Sequence, residues 1–140
     1  MIYLDSSALV KLALAGPESA ALAEWLAEPA RAGQPLISSA LHRAEVARAL
    51  WHAEPGALPR GYKVMKRIAR VALTADVLDD SATLEPPDLA AAQAIHLASA
   101  LAAGPDLTAF VSYDPGLLAA ARNAGLPVAS PGPAPDGGPG

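Results

Sequence analysis

Cysteine is absent from the 140 residues of this chain, and aromatic residues make up only 4% of it. Without cysteine, the chain forms no disulfide, no thiolate metal site and no cysteine nucleophile. The shortage of aromatic side chains predicts an aliphatic core and helices rich in alanine. The longest apolar runs are too short to span a bilayer, so we expect a soluble, cytoplasmic protein with no membrane partner.

Positive charge is also scarce, because ten lysine and arginine residues stand against fourteen aspartates and glutamates, for a net charge of -4. This balance argues against broad electrostatic binding to nucleic acid. It does not exclude an acidic metal site that meets phosphate groups through cations. The length suits one domain with one core, which we assign to residues 1–130. Residues 131–140 are rich in proline and glycine and are predicted to be a disordered tail.

The first twelve residues, MIYLDSSALVKL, show how the chain is organised. The apolar run at 2–4 is typical of a buried strand, and Asp5 follows it directly. Ser6 and Ser7 then precede a helical run, which we expect a serine to cap. In an open parallel sheet, chemistry takes place at the carboxyl ends of the strands. A carboxylate buried there needs a positive partner, so Asp5 is the first candidate site residue.

Strand and helix patterns alternate along the rest of the chain. Further strands are predicted at 36–38, 71–73, 108–113 and 126–129, the last at an edge of the sheet. Helices are predicted at about 17–28, 40–53, 60–67, 75–84, 89–103 and 115–123. Ser39, Thr74 and Asp88 are the expected caps of three of these helices. The alternation indicates an α/β protein with a mainly parallel sheet and right-handed crossovers.

Three acids occupy comparable places: Asp5 and Asp114 follow strands, and Glu45 lies in the helix after the second strand. If the first and fourth predicted strands are close neighbours, all three acids converge at one end of the sheet. Clustered carboxylates repel each other, and a hard divalent ion with oxygen ligands relieves that repulsion. Such an ion polarises a phosphoryl oxygen and activates water. Taken singly, each acid is better explained as a cap, a turn residue or a solvated side chain.

Two groups of side chains are candidates for contacts with partners. Arg60, Lys63 and Arg67 are spaced by three and four residues and line one side of a predicted basic helix. A solvated helix face is the simpler interpretation, and a phosphate-facing or partner-binding surface is the alternative. Trp25 and Trp51 are expected to pack or to lie in an interface rather than to stack on bases.

Several segments follow one another in an order that is typical of a known family: LDSSALVKL, SSALHRAEVARAL, AIHLASAL, FVSYD and GLPVASPG. Together they span residues 1–132 and resemble a PIN domain, more closely the VapC-type toxin ribonucleases of bacterial toxin–antitoxin pairs. The resemblance implies a PIN-like α/β/α sandwich with a central, mainly parallel sheet. It also implies a nuclease that hydrolyses phosphodiester bonds of RNA, of tRNA or another structured RNA, with Mg²⁺ or Mn²⁺ as the cofactor.

The same resemblance assigns roles to particular residues. Asp5, Glu45 and Asp114 would be the catalytic residues and would hold the metal. Ser6 would orient Asp5 or a metal-bound water, and Ser112 would support the strand end. The family further implies a homodimer and a VapB-like antitoxin that occupies the active-site groove and neutralises the enzyme.

Gln93 is a departure from the family pattern, which carries an aspartate before the IHLA segment. A glutamine is neutral and a weaker metal ligand, although its carbonyl oxygen is able to coordinate. Asp88 does not replace it, because five residues along a helix correspond to about 140° around the axis. We therefore expect the second metal to be lost, with activity weak, restricted to one metal or absent. His96, three residues further on, is expected to be a core or groove histidine, with a contact to phosphate or to the edge of the site as the alternative.

Two functions therefore stay open: an Mg²⁺-dependent endoribonuclease toxin, and a catalytically weakened or inactive PIN domain that binds RNA or an antitoxin. Other folds also place an aspartate after the first strand. Haloacid-dehalogenase-like proteins normally carry a second aspartate at the position of Ser7, and a dinucleotide-binding fold needs a glycine-rich turn there. Neither feature is present in this sequence.

Overall fold

The structure is a computed structural model that describes residues 1–133. Within that range, five strands form one sheet in which each neighbouring pair is parallel. The strands are β1 (Ile2–Leu4), β2 (Leu36–Ser39), β3 (Ala69–Val71), β4 (Ala109–Val111) and β5 (Val128–Ala129). Their order across the sheet is β3-β2-β1-β4-β5. The first and fourth strands are therefore direct neighbours, as the sequence argument requires.

Seven helices in the described range connect these strands. They are α1 (Ser6–Ala13), α2 (Ser19–Ala27), α3 (His42–Leu50), α4 (Ala57–Met65), α5 (Ala75–Ser81), α6 (Ala91–Ala102) and α7 (Pro115–Asn123). None of the helices in residues 1–133 combines the length and the apolar character that a membrane crossing requires.

The sheet lies between two helical layers because its strands alternate the faces of their side chains. Ile2 and Leu4 of β1 pack into a buried cluster with side chains of α1 to α4. Tyr3, between them, packs into a second cluster with side chains of α6 and α7. The predicted α/β fold with a parallel sheet and the PIN-like sandwich are confirmed.

Several predicted boundaries are wrong by a few residues. The third strand pairs Ile37 with Ala69, so β3 lies two residues before the predicted segment. The basic helix α4 begins at Ala57 and ends at Met65, which leaves Arg67 beyond its end. The helices α2, α3 and α5 are each shorter than predicted.

Among the predicted helix caps, those of α1 and α3 are wrong and that of α5 is confirmed. Asp5, rather than a serine, caps α1, because its Oδ1 accepts the backbone N–H of Ala8 at 3.0 Å. Ser39 belongs to β2, and α3 begins after Leu41 without a side-chain cap. Thr74 caps α5 as predicted. Aspartate is as good a capping residue as serine, so sequence preference alone does not choose between them.

The two tryptophans differ in their surroundings. Trp25 packs against the first buried cluster, with the guanidinium of Arg31 4.0 Å from the centre of its ring. Trp51 is 64% exposed, so the prediction that it packs within this chain is wrong, and a role in an interface stays a prediction. The predicted tail lies largely outside the described residues, since the structure says nothing of 134–140.

Gly61 allows α4 to approach α3 closely. A Cβ atom at this position would overlap the Cδ1 atom of Leu50, a side chain that is only 1% exposed. We expect Gly61→Ala to lower the free energy of unfolding by about 1–3 kcal/mol, as overpacking does. Alanine's better helix propensity, about 1 kcal/mol, offsets only part of this loss. Chemical denaturation measures the change, and Gly16→Ala, whose Cβ has only a Ser19 hydroxyl 3.8 Å away, is the matched control.

His42 gives the stability a dependence on pH. The ring is fully buried, its Nδ1 lies 2.8 Å from the Ser39 carbonyl, and burial lowers the pKa of the imidazole. Below a pH of about 6.5 the imidazole of His42 takes up a proton in the unfolded chain but not in the folded chain. The free energy of unfolding therefore falls as the pH falls. Above that pH the ring is neutral in both states and has no such effect. We expect His42→Gln to flatten this fall in denaturation experiments between pH 7.5 and 5.5, whereas exposed His52→Gln leaves the slope unchanged.

Candidate active site

Asp5 lies at the carboxyl end of the central strand β1, and only 4% of it is exposed. Its Oδ1 accepts hydrogen bonds from the Ala8 N–H (3.0 Å) and the Ser7 hydroxyl (2.6 Å). Its Oδ2 accepts one from the Ser112 hydroxyl (2.5 Å). These neutral donors stabilise a buried negative charge without a basic side chain.

Ser112 connects the ends of two neighbouring strands. The residue follows β4 and is fully buried. Its Oγ donates to Asp5 and accepts the backbone N–H of Asp114 at 3.0 Å. Asp114 in turn caps α7, since its Oδ1 accepts the N–H of Leu117 at 3.1 Å. The two aspartates therefore lie on adjacent strand ends with the Ser112 hydroxyl between them, and a supporting role of Ser112 in catalysis stays a prediction.

Glu45 reaches the same region from the first turn of α3. Its Oε1 is 2.7 Å from both the Ser6 Oγ and the His96 Nε2. Hydrogen bonding to His96 lowers the pKa of Glu45, with a smaller contribution in the same direction from Ser6, while burial opposes the shift. Ser6 thus contacts Glu45, and the hydroxyl that contacts Asp5 belongs to Ser7.

Gln93 lies beside Asp114 and interacts with it directly. Its Nε2 donates to Oδ2 of Asp114, which is the consistent orientation because a carboxylate only accepts. Its Oε1 accepts the backbone N–H of Ala90 at 3.1 Å and so satisfies the first turn of α6. The helix begins after Ala90, so the prediction that Asp88 caps it is wrong. The carbonyl oxygen that could have coordinated a metal is thus already bonded to the backbone.

His96 is 3% exposed and bonds both to a buried core residue and to the site. Its Nδ1 lies 2.7 Å from the hydroxyl of Tyr3, and its Nε2 contacts Glu45. The prediction of a buried histidine bonded to a neighbour is confirmed, and that neighbour is itself a candidate site residue. Gln93 and His96 therefore reach two different carboxylates from the same face of α6.

Three contributors to this region were not predicted. Ser7 holds Asp5 and also accepts the Tyr113 N–H at 2.9 Å. Tyr3 was assigned only to the strand, although a buried phenol needs a hydrogen-bond partner and so carried a usable signal. Lys11 lines a groove with Glu45, and its ammonium lies 3.0 Å from a Glu18 carboxylate oxygen.

Two grooves flank the carboxylates. One, of about 460 Å³, is lined by residues of α1 and α3 and by one tyrosine: Ser6, Ser7, Val10, Lys11, Glu45, Ala49 and Tyr113. The other, of about 390 Å³, lies between the segment before α6 and the helix α7: Glu85, Pro86, Asp88, Leu89, Gln93, Gly116, Ala119, Ala120 and Asn123. Among the charged side chains that line the two grooves, Lys11 is basic, whereas Glu45, Glu85 and Asp88 are acidic.

The three predicted contact residues of the basic segment are spread over the surface. Arg60 donates to the Ala13 carbonyl (2.9 Å) and pairs with Glu54 (2.5 Å). Lys63 is exposed on α4, and Arg67 lies before β3, at the amino end of the strands. Arg67 is thus at the edge of the sheet opposite the carboxylates. Contact of these residues with RNA or a partner stays a prediction.

The donor set suits a hard cation in its chemistry, since Asp5, Glu45 and Asp114 offer only oxygen ligands. As the side chains are placed in residues 1–133, however, no group of three or more His, Cys, Asp or Glu residues is positioned to hold a metal ion. The carboxylates are instead satisfied by serine hydroxyls, backbone N–H groups, His96 and Gln93. The site fits a divalent ion by ligand type, and it is also self-sufficient in hydrogen bonds.

Comparison with known sequences identifies the fold family. The PIN domain family matches residues 2–123. Ribonuclease VapC47 of Mycobacterium tuberculosis (strain CDC 1551 / Oshkosh) is 38% identical over 133 residues, which cover 94% of this chain and 98% of that protein. Ribonuclease VapC46 of Mycobacterium tuberculosis (strain ATCC 25618 / H37Rv) is 42% identical over 130 residues, 93% of this chain and 97% of that protein.

A solved structure supports the architecture. The crystal structure of Mycobacterium tuberculosis VapC20, described as a sarcin-ricin loop cleaving toxin, superposes with a TM-score of 0.68. The match covers 94% of this chain and all of that one at 16% sequence identity, so it concerns the fold alone. By the extent of the family match and by its similarity to proteins named VapC ribonucleases, the chain belongs to the PIN-domain family.

Proposed function

We propose that this protein is a metal-dependent endoribonuclease toxin of the VapC type that hydrolyses phosphodiester bonds in RNA. Relatives that align over nearly their whole length are named ribonucleases, which supports nuclease chemistry. The observation that carries the proposal is the buried carboxylate of Asp5, joined through Ser112 to Asp114 at adjacent strand ends. Each aspartate also caps a helix, but capping does not require the two carboxylates to lie at adjacent strand ends, whereas a cation site does.

Asp5, Glu45 and Asp114 would hold Mg²⁺ or Mn²⁺. The ion, when bound, supplies a Lewis acid for a phosphoryl oxygen and lowers the pKa of water. The chain's own residues orient the ligands: Ser7 and Ser112 fix the two oxygens of Asp5. Lys11 is the basic side chain that lines the groove beside Glu45, and a phosphate there would compete with Glu18 for its ammonium.

A VapB-like antitoxin is the proposed partner and would neutralise the enzyme by occupying the active-site groove. A homodimer is proposed on the family resemblance. The exposed Lys63 is the member of the basic segment that is best placed to contact a partner or RNA, since Arg60 is paired with Glu54 and Arg67 lies at the opposite edge. tRNA or another structured RNA is the proposed substrate class.

A second function is favoured by one specific contact, the hydrogen bond from Gln93 to Asp114. An aspartate at this position would face Asp114 as a second negative charge, and only a cation would relieve the repulsion. The amide removes both the charge and the need for the cation. In this alternative the chain is a catalytically weakened or inactive PIN domain that binds RNA or its antitoxin.

Substitution of Asp5 tests the first function. Purified protein, free of any partner, is incubated with total RNA in Mg²⁺, in Mn²⁺ or in EDTA. We expect metal-dependent cleavage that falls in Asp5→Asn to the level seen in EDTA, because the amide removes the buried negative charge while keeping its shape. Expression of Asp5→Asn should also relieve growth arrest. Asp79→Asn, an exposed aspartate of α5, is the matched control and should cleave normally.

Cleavage that survives Asp5→Asn would contradict the proposal. A control for folding is required, since Asp5 caps α1 and loss of a cap costs about 1 kcal/mol. Thermal unfolding followed by circular dichroism separates a disarmed nuclease from an unfolded one.

Restoring the charge at position 93 separates the two functions. We expect Gln93→Asp to raise RNA cleavage, to bind more Mg²⁺ or Mn²⁺ by isothermal titration calorimetry, and to become more stable on metal addition. In EDTA its melting temperature should fall below that of the natural chain, because two carboxylates then face each other. Gln93→Glu, which adds the charge at the original length, is the companion variant.

The outcomes differ between the two functions. A natural chain that does not cleave RNA, together with a Gln93→Asp variant that does, indicates a nuclease fold inactivated at one position. A natural chain that cleaves well and gains nothing from Gln93→Asp would contradict the second function.

A further inference from the structure

A line of hydrogen bonds runs beneath the site through two buried side chains to which the proposed reaction gives no role. The Ser39 N–H donates to the Tyr3 hydroxyl at 2.9 Å. That hydroxyl lies 2.7 Å from Nδ1 of His96, and Nε2 of His96 lies 2.7 Å from Oε1 of Glu45. Tyr3 is fully buried and His96 is 3% exposed. The line therefore connects the backbone of β2 to a carboxylate that faces a groove.

Chemistry fixes the direction of the two outer hydrogen bonds in this line. The Ser39 N–H only donates, and Glu45 as a carboxylate only accepts, so the hydrogen between Glu45 and His96 belongs to Nε2. In the tautomer that carries its hydrogen on Nε2 alone, Nδ1 is an acceptor. The Tyr3 oxygen already accepts the Ser39 N–H, so its own hydrogen is free to point at Nδ1. The whole line is satisfied when His96 is the Nε2–H tautomer.

We infer that His96 is a positioning residue that holds Glu45 and that Tyr3 fixes its tautomer. Glu45 has a long side chain that is about one-third exposed, so it needs such partners to keep one conformation. Ser6 is the second donor, at 2.7 Å from the same oxygen. The effect of His96 on catalysis rests on the proposed function, whereas the tautomer expected for its ring does not.

A comparison within the molecule supports this role. His42 is also fully buried, but its Nδ1 contacts a backbone carbonyl, that of Ser39, and so serves the local structure. Both ring nitrogens of His96 instead contact side chains, and one of these is a candidate catalytic carboxylate. Hydrogen bonds between an imidazole N–H and a carboxylate fix the orientation of side chains in metal sites and in triads of the Ser-His-Asp kind.

The tautomer is measured directly by ¹⁵N NMR of the imidazole rings, without RNA or metal. The chain has three histidines, and His42→Gln and His52→Gln assign the signals by elimination. We expect His96 at neutral pH to carry its hydrogen on Nε2, with Nδ1 unprotonated. Tyr3→Phe should produce a mixture of tautomers, while Tyr62→Phe, an exposed tyrosine, should change nothing.

A His96 ring that carries a hydrogen on Nδ1 at neutral pH in the natural chain would overturn the inference. This measurement uses the natural chain, so it establishes the tautomer of His96 even if Tyr3→Phe does not fold. A Tyr3→Phe protein that folds and keeps one pure tautomer would overturn the part played by Tyr3.

Kinetics test the consequence for catalysis. The amide of His96→Gln is long enough to replace the Nε2–H donor, whereas the shorter His96→Asn is not. We expect His96→Asn to lower kcat by about 10- to 100-fold, the range seen when outer partners of a site are removed, with little change in KM. His96→Gln should recover most of that loss, and exposed His52→Gln should leave kcat unchanged.

Equal losses in His96→Gln and His96→Asn, or a loss seen only in KM, would overturn the positioning role. Absence of cleavage by the natural chain on every RNA would count against the proposed function alone. In that case the tautomer, and the position of Glu45 in a crystal structure of His96→Asn, still decide the inference. Glu45 that keeps its place beside Ser6 in that crystal would contradict it.

Discussion

The site depends on one constraint, the burial of a carboxylate at the end of the central strand. Asp5 is 4% exposed, and a charge in such a place needs compensation worth several kcal/mol. The chain compensates it with a backbone N–H and two hydroxyls, those of Ser7 and Ser112, rather than with an arginine or lysine. Neutral donors stabilise the charge but do not cancel it. A net negative potential is therefore left at the edge of the sheet, which is the condition for attracting a cation.

The fold supplies these donors because of its strand order. β1 pairs with β4, and Leu4 is in register with Val111, so the residues that follow the two strands are neighbours. Ser112 is thereby placed against Asp5, and Asp114 follows on the next strand end. The same strand order places α6 against β2, and the polar face of α6 therefore lies beside the third carboxylate, that of Glu45. The geometry of the site is therefore a consequence of topology more than of any single loop.

Sequence reasoning predicted the parallel sheet, because the alternation of strands and helices is a local signal. It made the convergence of the three acids conditional on adjacent first and fourth strands, and the sheet meets that condition. It failed on helix caps for two reasons. Asp5 and Ser6 are equally good caps, so propensity does not choose between them, and α6 begins after Ala90 although Asp88 is the better capping residue. It also placed Ser6 beside Asp5 or a metal-bound water, whereas Ser6 contacts Glu45, because sequence does not reveal which of two adjacent hydroxyls faces which carboxylate. Such choices are made by tertiary contacts over 39 residues or more, as between Ser6 and Glu45.

Helix α6 carries the two residues that bear on whether the site is active and on how Glu45 is held, namely Gln93 and His96. Gln93 and His96 are three residues apart, so they lie on one face and each donates to a different carboxylate, Asp114 and Glu45. Replacement of a carboxylate by an amide at 93 changes both the charge and the direction of bonding, since the amide donates where a carboxylate only accepts. The helix then donates a hydrogen bond to each of the two carboxylates, and it needs no metal ion to lie against them. A chain built in this way can fold with its site assembled and metal-free, and whatever metal it binds must compete with its own hydrogen bonds.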